Sequence, residues 1–136
     1  MSASAELICV PPETVPQFWP HCSELIRRAM ERGSAGDFPS VERCVLSAKA
    51  LLWIAWDGSR IISAAVTQID KFGETKVCTI VACAGSELNN FLPLIAGIEK
   101  YAKIEGCELS RIDGRPGWGR VLPSYRIARV TLEKRL

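Results

Sequence analysis

Residues 51–84 read LLWIAWDGSRIISAAVTQIDKFGETKVCTIVACA, and they carry most of the information about the fold. Three runs rich in apolar and β-branched residues, at 51–56, 61–69 and 76–84, are separated by short turn sequences. The first separator contains Asp57-Gly58, a strong hairpin signal, and the second reads KFGE over residues 71–74. The stretch therefore predicts three antiparallel strands that follow one another as a meander.

Two helices and a short strand are predicted before this meander. Residues 7–10 are strand-like, and Thr14 and Gln17 have the spacing of a capping box. Apolar residues then recur at helical spacing until Gly33, with Pro20 predicting a kink or a later start. Asp37 is predicted to cap a second, shorter helix whose inward residues are Val41, Cys44, Val45 and Ala48.

A long helix is predicted after the meander. Gly85-Ser86 interrupts the third strand, Asn89 or Asn90 is predicted to cap the helix, and Gly106 ends it. A strand at 109–113, one or two helical turns within 117–123 and a final strand at 127–132 complete the chain. Because the long helix lies between two strands, those strands are predicted to pair in parallel. The resulting fold class is α/β (α+β).

The composition is that of one globular domain. The chain has 136 residues, of which 48% are hydrophobic and 24% are charged. We expect a single domain over residues 1–136, with residues 1–5 disordered. No apolar run reaches the roughly 18–20 residues that a membrane span needs, and the N-terminus lacks the basic residues of a signal peptide. We therefore expect no membrane partner and a cytoplasmic location.

Six cysteines raise the question of metal or disulfide chemistry. No two of them have Cys-x-x-Cys spacing, and His21 is the only histidine. A zinc site normally needs closely spaced pairs of ligands. We therefore expect buried free thiols and no metal site. His21 lies early in a predicted amphipathic helix without a nucleophile signature around it, which argues against a catalytic role.

The charge is unevenly distributed along the chain. From residue 109 onward seven bases face two acids, a net charge of +5, whereas the first 108 residues carry ten bases and thirteen acids, a net charge of −3. Such asymmetry is found in proteins that bind polyanions. It is also found where charged side chains simply coat solvent-exposed strands and helices, and we favour that interpretation.

The predicted order of elements is similar to that of the GNAT N-acetyltransferase fold over almost the whole chain. In that family a loop and the N-terminus of the long helix hold the pyrophosphate of acetyl-CoA through backbone N–H groups. The matching segment here is ACAGSELNN, residues 82–90. The family loop usually reads Gln/Arg-x-x-Gly-x-Gly/Ala. Only Gly85 and Ser86 match it, no basic residue precedes them, and Glu87 adds a negative charge.

This resemblance implies a mixed, mostly antiparallel twisted sheet flanked by helices, and acetyl-CoA as the cofactor. The residues that it implies for binding acetyl-CoA are Cys83, Ala84, Gly85, Ser86, Asn89 and Asn90. A single glycine at a strand-to-helix turn is equally explained by the turn alone.

A second resemblance involves the C-terminal part of the chain. Residues 114–126, GRPGWGRVLPSYR, and the ending LEKRL resemble small GNAT-like proteins encoded in phage and prophage regions. The VPxxWP of those proteins matches VPQFWP at residues 15–20. Because their function is largely unassigned, this likeness bears on the fold and implies no catalytic residues.

Two catalytic positions follow from the first resemblance. In active GNAT enzymes a tyrosine on the last short helix often protonates the leaving thiolate, and Tyr125 has a similar place. The alternative is a packed tyrosine with its hydroxyl in water. Transfer to an amine also needs a base, for which Asp70 is our first candidate because it ends a predicted central strand. Backbone N–H groups at 76–83 are candidates to polarise the thioester carbonyl. Further carboxylates, each also explained as an ordinary surface group, are Glu13, Glu42 and Glu74.

The tryptophans are candidates for partner contacts. Trp53 and Trp56 are three positions apart and are predicted to face opposite sides of a strand, one of them in the core. Trp118 lies between Arg115 and Arg120, which suits either a contact with a phosphate, nucleic acid or protein, or packing against the final strand.

Two functions stay open. The first is acetyl transfer from acetyl-CoA to a small-molecule amine or a protein amino group. The alternative is a non-catalytic GNAT-like module of phage or prophage origin with a degenerate cofactor loop, which contacts a protein partner through Arg115–Arg126. Nucleic-acid binding by the basic C-terminal segment is a third and less favoured hypothesis. Because strand edges of this fold often pair, a homodimer is a further expectation.

Overall fold

A computed structural model describes residues 6–31, 37–85, 88–113, 122–128, 130 and 132–136. This part of the chain contains five strands and three α-helices. Their order agrees with the predicted order up to the strand that follows the long helix. In chain order they are β1 (Glu6–Cys9), α1 (Val15–Glu31), α2 (Phe38–Leu46), β2 (Leu51–Trp56), β3 (Ile61–Phe72), β4 (Thr75–Gly85), α3 (Leu88–Ile104) and β5 (Leu109–Ile112).

The five strands form one sheet in the order β1-β2-β3-β4-β5. The first three pairs are antiparallel, and β4 pairs with β5 in parallel, as the crossover through α3 predicts. Both meander turns use glycine at positive φ, Gly58 at 102° and Gly73 at 63°. Asp57 supports the first turn, because its carboxylate accepts hydrogen bonds from the N–H groups of Ser59 and Arg60, each at 2.9 Å. The predicted meander is confirmed.

Helices cover both faces of the sheet. On one face α1 and α2 pack through residues such as Ile26 and Val45, which are almost completely buried against β2 and β3. On the other face α3 packs through Leu94 and Ile98. Trp53 belongs to this second core, and its indole N–H donates to the Thr67 hydroxyl at 2.9 Å. The sheet is thus buried from both sides, and the prediction that one of the two strand tryptophans lies in the core is confirmed.

The start of α1 differs from the prediction. Thr14 lies in a 3₁₀ turn (Pro12–Thr14) before the helix, and its hydroxyl donates to the Pro11 carbonyl at 3.0 Å. That hydroxyl therefore points back along the chain, so the predicted capping box is wrong. Pro20 lies inside α1, which begins before it at Val15 and continues to Glu31. The predicted delay of the helix start is also wrong.

The ends of α2 and the start of α3 agree with the prediction only in part. Asp37 caps α2 as predicted, because its carboxylate accepts from the Ser40 N–H at 3.0 Å. Ala48, predicted on the inward face of α2, instead follows the helix with a positive φ of 63°. Asn89 and Asn90, each predicted as the cap of α3, lie within its first turn, since the helix already includes Leu88. Asparagine is a common cap residue, so asparagines inside the first turn give a predicted helix start that is one or two residues too late.

The C-terminal segment differs most. Residues 127, 128, 130 and 132 belong to no strand, so the predicted strand at 127–132 is wrong in the described part of this segment. The side chains of Ile127, Val130 and Leu132 are 64%, 73% and 90% exposed. β-branched residues favour strands, but strand formation depends on packing against a neighbouring strand, and the described residues of this segment belong to no strand. Residues 122–125 form a turn, and the rest of the helical turns predicted within 117–123 lies outside the described residues.

The six cysteines are free, as predicted. Cys22 and Cys78 are buried, whereas Cys9 is exposed, so burial holds for only part of the set. Within the described ranges no group of three or more histidine, cysteine or acidic side chains is arranged to hold a metal ion. In the same ranges, none of the helices combines the length and the apolar character that crossing a bilayer requires.

Candidate functional site

The β4 strand contains an irregularity at Val81. Val66 of β3 pairs with Ala82, but the next residue, Thr67, pairs with Ile80, so Val81 is an extra residue on β4. Such a bulge bends a strand and increases its twist. The ladder between β4 and β5 ends at the same level, where Ile80 pairs with Ile112. Beyond this point β4 continues to Gly85, whereas β5 ends at Ile112.

A cavity of about 180 Å³ lies beside the Val81 bulge and the end of β5, on the α2 side of the sheet. It is smaller than the roughly 300–1,000 Å³ of sites for drug-sized ligands, so it fits a small group or the end of a longer one. Among the residues that the structure describes, its lining combines two aspartates, a serine, a glutamine and a cysteine with two valines, and includes no basic residue. The lining residues are Asp37, Ser40, Val41, Cys44, Gln68, Val81 and Asp113.

Hydrogen bonds fix both aspartates of the cavity, through the carboxylate of Asp37 and through the backbone N–H of Asp113. Asp37 accepts hydrogen bonds from the hydroxyl and the N–H of Ser40, at 3.1 and 3.0 Å. These hydrogen bonds, together with the nearby Arg43, hold the pKa of Asp37 below its ordinary value, so the side chain is anionic at neutral pH. Asp113 directly follows β5, and its N–H donates to the Ile80 carbonyl at 3.1 Å. The cavity therefore favours a cationic or hydrogen-bond-donating group.

The position of α2 depends on a contact with α1. Trp19 is buried, and its indole N–H donates to the Glu42 carboxylate at 2.7 Å. The Trp19 ring also stacks on Phe38, with ring centroids 6.0 Å apart. Glu42, one of the candidate bases, thus holds α2 against α1 and is not among the residues that line the cavity.

The residues implied for cofactor binding surround the end of β4 and the start of α3. The side chain of Cys83 turns toward the α3 core and that of Ala84 toward the opposite core. Burial raises the pKa of Cys83 to about 12, so it remains a thiol at neutral pH and is a poor nucleophile. Gly85 ends β4 opposite Ser63. Asn89 and Asn90 belong to the first turn of α3, whose N–H groups lack intrahelical acceptors. Ser86 lies outside the described residues.

Tyr125 lies on the other side of the sheet from the cavity. Its hydroxyl donates to the Glu99 carboxylate of α3 at 2.6 Å and is 2.8 Å from the Ser110 hydroxyl of β5. Because Tyr125 has one proton to donate, Ser110 is the donor in the second contact. Burial, and then the hydrogen bond to Glu99, raise the pKa of Tyr125 well above its ordinary value, so the phenol keeps its proton.

The remaining candidates lie apart from the cavity. Asp70 is exposed within β3 and pairs with Val77, four residues before the bulge on β4 and so about 13 Å away along the strand. Glu13 and Glu74 are exposed in turns, and His21 is exposed on α1. The end of β4 leads into the start of α3, the cavity lies beside Val81 of β4 and Asp113, and Asp70 lies outside both.

Sequence reasoning missed the residues that shape the cavity, among them Gln68, Val81 and Asp113. Val81 lies in an uninterrupted apolar run, VCTIVACA, in which an extra residue leaves no trace in the hydropathy pattern. The sequence places Asp113 at the end of the predicted strand at 109–113, and nothing in the pattern marks it as a site residue. Asp37 was recognised as a cap only.

Comparison with known proteins supports the fold. No family model matches the sequence, and no curated protein matches it. Among solved structures, an aminoglycoside acetyltransferase from an uncultured soil metagenomic sample, in complex with trehalose, superposes with a TM-score of 0.70 at 12% identity, over 97% of this chain and 96% of that one.

Two further solved structures are similar over nearly their whole length. A ribosomal-protein-alanine N-acetyltransferase from Brucella melitensis biovar Abortus 2308 has a TM-score of 0.68 at 10% identity, over 98% of this chain and 99% of that one. A GNAT family acetyltransferase from Staphylococcus aureus has a TM-score of 0.65 at 12% identity, over 98% and 99%. At these identities the likeness concerns the fold. The chain has the mixed α+β fold of the GNAT acetyltransferases.

Proposed function

We propose that the protein is an N-acetyltransferase that uses acetyl-CoA and acts on a small-molecule amine or a protein amino group. The observation that carries this proposal is the extension of β4 past the end of β5, beyond the Val81 bulge and ahead of α3 in the chain. The similarity to acetyltransferase structures over nearly the whole chain supports it. Acetyl-CoA supplies the acetyl group as an activated thioester. We further propose a cytoplasmic location, where that cofactor is made and used.

The main chain of this region is the part that suits acetyl-CoA. Cys83 and Ala84 point their side chains into the two cores, which leaves backbone groups available along the edge of β4. We assign the pantetheine amides and the thioester carbonyl to that edge between Cys83 and Gly85. We assign the pyrophosphate to Ser86 and to the first turn of α3, with Asn89 and Asn90, where N–H groups and the helix dipole favour an anion.

The cavity beside α2 is the proposed acceptor site. An amine arrives mostly as an ammonium ion, which suits the carboxylates of Asp37 and Asp113 and the absence of a basic side chain among the lining residues. The amine must lose a proton before its nitrogen can attack a carbonyl carbon. We propose that Asp113 accepts this proton, directly or through water, because Asp113 lines the cavity whereas Asp70 does not.

We propose that Tyr125 donates a proton to the departing thiolate. The geometry adds one condition to this role. Its hydroxyl is protonated at neutral pH but is directed to Glu99. Donation to a thiolate then requires the hydroxyl to turn away from Glu99. A Tyr125→Phe variant separates the two roles, since loss of a proton donor lowers kcat, whereas loss of a structural hydrogen bond lowers stability.

The alternative is a non-catalytic GNAT-like module of the phage or prophage kind. The loop sequence favours it, because no basic residue precedes Gly85 and Glu87 brings a negative charge to the place proposed for a pyrophosphate. In that case the Arg115–Arg126 segment is the proposed contact with a protein partner. This alternative predicts that acetyl-CoA does not bind.

The proposal is tested by offering a panel of amines as acceptors. Acetyl transfer is measured as the release of the free coenzyme A thiol. The panel contains monoamines, diamines, an aminoglycoside and a peptide with a free N-terminus. Val41→Trp fills the cavity and is expected to raise KM for the amine at least about tenfold, with acetyl-CoA affinity unchanged. Leu46→Trp, at the exposed end of the same helix, is the matched control. Equal effects of the two substitutions would remove the cavity from the proposal.

A further inference from the structure

The sheet side of the proposed acceptor cavity has a polar residue on each side of an apolar one. Three neighbouring strands supply these residues: Gln68 lies in β3, Val81 lies in β4, and Asp113 directly follows β5. Adjacent strands lie about 4.8 Å apart, so the backbones of Gln68 and Asp113 are separated by at least about 9 Å. This side of the cavity is therefore longer than a single amino group, and its centre is apolar.

The helix side of the cavity has a charge at one end. Four of the lining residues follow the spacing of one helix face, namely Asp37, Ser40, Val41 and Cys44. The Asp37 carboxylate accepts from the N–H and the hydroxyl of Ser40, at 3.0 and 3.1 Å, which fixes it at the start of α2. At 1.5 Å per residue, Asp37 and Cys44 lie about 10 Å apart along the helix. The carboxylate thus marks one end of an elongated and partly apolar space.

Both carboxylates of the cavity can take a cationic partner. In the part of the chain that the structure describes, the salt bridges involve neither Asp37 nor Asp113. Arg43, on the same helix as Ser40, donates to the Ser40 hydroxyl at 3.0 Å and is not among the lining residues. Asp113 is held through its backbone, since its N–H donates to the Ile80 carbonyl at 3.1 Å. That contact does not use the Asp113 carboxylate.

The part of an acceptor that this cavity holds is small. A protein cavity of about 150 Å³ holds benzene, which has six heavy atoms. The 180 Å³ of this cavity therefore accommodates roughly seven heavy atoms, the size of an unbranched diamine with four or five carbon atoms. Val41 and Val81 are suited to contact the methylene groups of such a chain.

We propose that the acceptor is a short aliphatic diamine, in which one nitrogen binds Asp37 as an ammonium ion and the other is acetylated beside Asp113. This inference rests on the acetyl transfer proposed above. The nitrogen beside Asp113 gives a proton to that carboxylate and forms a bond to the acetyl carbon. The carbon–sulfur bond of the thioester breaks, and the thiolate of coenzyme A takes a proton from Tyr125. Asp37 takes no part in these steps, so its role is to select a substrate with a second cation.

Calorimetric titration of 1,5-diaminopentane and of pentylamine, without acetyl-CoA, tests this selection apart from catalysis. We expect the diamine to bind at least about tenfold more tightly, because its second ammonium adds a charge-assisted hydrogen bond to Asp37. Asp37→Asn removes the charge but keeps a good helix cap. It is expected to lower the affinity for the diamine at least about tenfold and to leave pentylamine binding unchanged. Asp70→Asn removes an exposed carboxylate from the same face of β3 as Gln68 and, as the control, should change neither affinity.

The same two amines are then offered with acetyl-CoA, and the release of coenzyme A is measured. A diamine preference of at least about tenfold in kcat/KM that Asp37→Asn removes supports both the inference and the proposed function. Equal affinity for the two amines, or binding of neither, overturns the diamine inference even where acetyl transfer occurs. An Asp37→Asn variant that loses affinity for both amines equally also overturns it. Diamine binding that depends on Asp37 but leads to no acetyl transfer overturns the proposed function and supports the diamine site.

Discussion

Tyr125 joins three parts of the chain through one hydroxyl group. Its contacts with Glu99 and Ser110 fix the segment after residue 121 to both α3 and β5. Tyr125→Phe is expected to lower the free energy of unfolding by about 1 kcal/mol, since it removes both contacts at a half-buried site. Urea unfolding measures this change. Tyr101→Phe, which keeps the ring contact with Trp53, is the control, and an equal loss in both variants would contradict the assignment.

The raised pKa of Tyr125 gives its contribution a pH dependence. The folded state holds the phenol proton more tightly than the unfolded state, in which the pKa is near the ordinary value of about 10. The stabilisation is therefore fully present below about pH 10 and is lost as the pH rises above it. The stability difference between the wild type and Tyr125→Phe should be constant from pH 7 to about pH 9.5 and should shrink above that. A difference that does not change up to pH 11 would contradict this account.

Glu42 has the contacts of a structural residue. Its carboxylate accepts the hydrogen bond of the buried Trp19 indole, so Glu42→Ala leaves that donor without its partner. We expect a loss of about 1–3 kcal/mol in the free energy of unfolding, and a smaller loss for Glu42→Gln, which keeps an acceptor oxygen. Chemical denaturation followed by tryptophan fluorescence measures both. If Glu42→Gln kept full stability but abolished acetyl transfer, Glu42 would be the base after all.

The end of α2 contains a backbone conformation that its residue does not favour. Ala48 has a φ of 63°, and its side chain is exposed. Glycine adopts this conformation without the steric cost of a Cβ atom, although it also gives the unfolded chain more freedom. Ala48→Gly is therefore expected to raise the free energy of unfolding by about 0.5–1 kcal/mol. Ala96→Gly, at an exposed position inside α3, should lower it by about the same amount. Thermal unfolding measures both changes. If both substitutions stabilised the protein, or both destabilised it, the result would contradict the positive φ of Ala48.

The elements that sequence reasoning predicted well are those with strong local signals. β2 was predicted with its observed ends, because Asp57-Gly58 defines the turn that follows it. The helices were found from their apolar spacing. α1 begins directly after Thr14, as a cap there implies, but without the predicted capping box, and α3 begins before the asparagines predicted to cap it. The strand expected at 127–132 failed for another reason. Local sequence sets the propensity for a strand, whereas its formation depends on a partner edge.

At the scale of the whole molecule, the site depends on features that no local pattern contains. The cavity forms where α2, the β4 bulge and the end of β5 meet, so Asp37 and Asp113 come together although 76 positions separate them. Gly85 and the first turn of α3 were predictable from the order of elements alone. The resemblance to GNAT enzymes thus indicated the region proposed for acetyl-CoA, whereas the proposed acceptor cavity required the structure. Tyr125 and the cavity lie on opposite faces of the sheet, so the two proposed roles require the thioester to be within reach of both faces.

Calorimetric titration of acetyl-CoA into the purified protein tests the central claim most directly. We predict binding in the micromolar range, because the end of β4 and the start of α3 are the proposed source of backbone donors for the cofactor. Gly85→Glu places a charged side chain at the end of β4 and should abolish the binding, whereas Ala96→Glu, two turns along α3, should leave it intact. No heat and no thermal shift at millimolar acetyl-CoA would contradict the acetyltransferase proposal and favour the non-catalytic module.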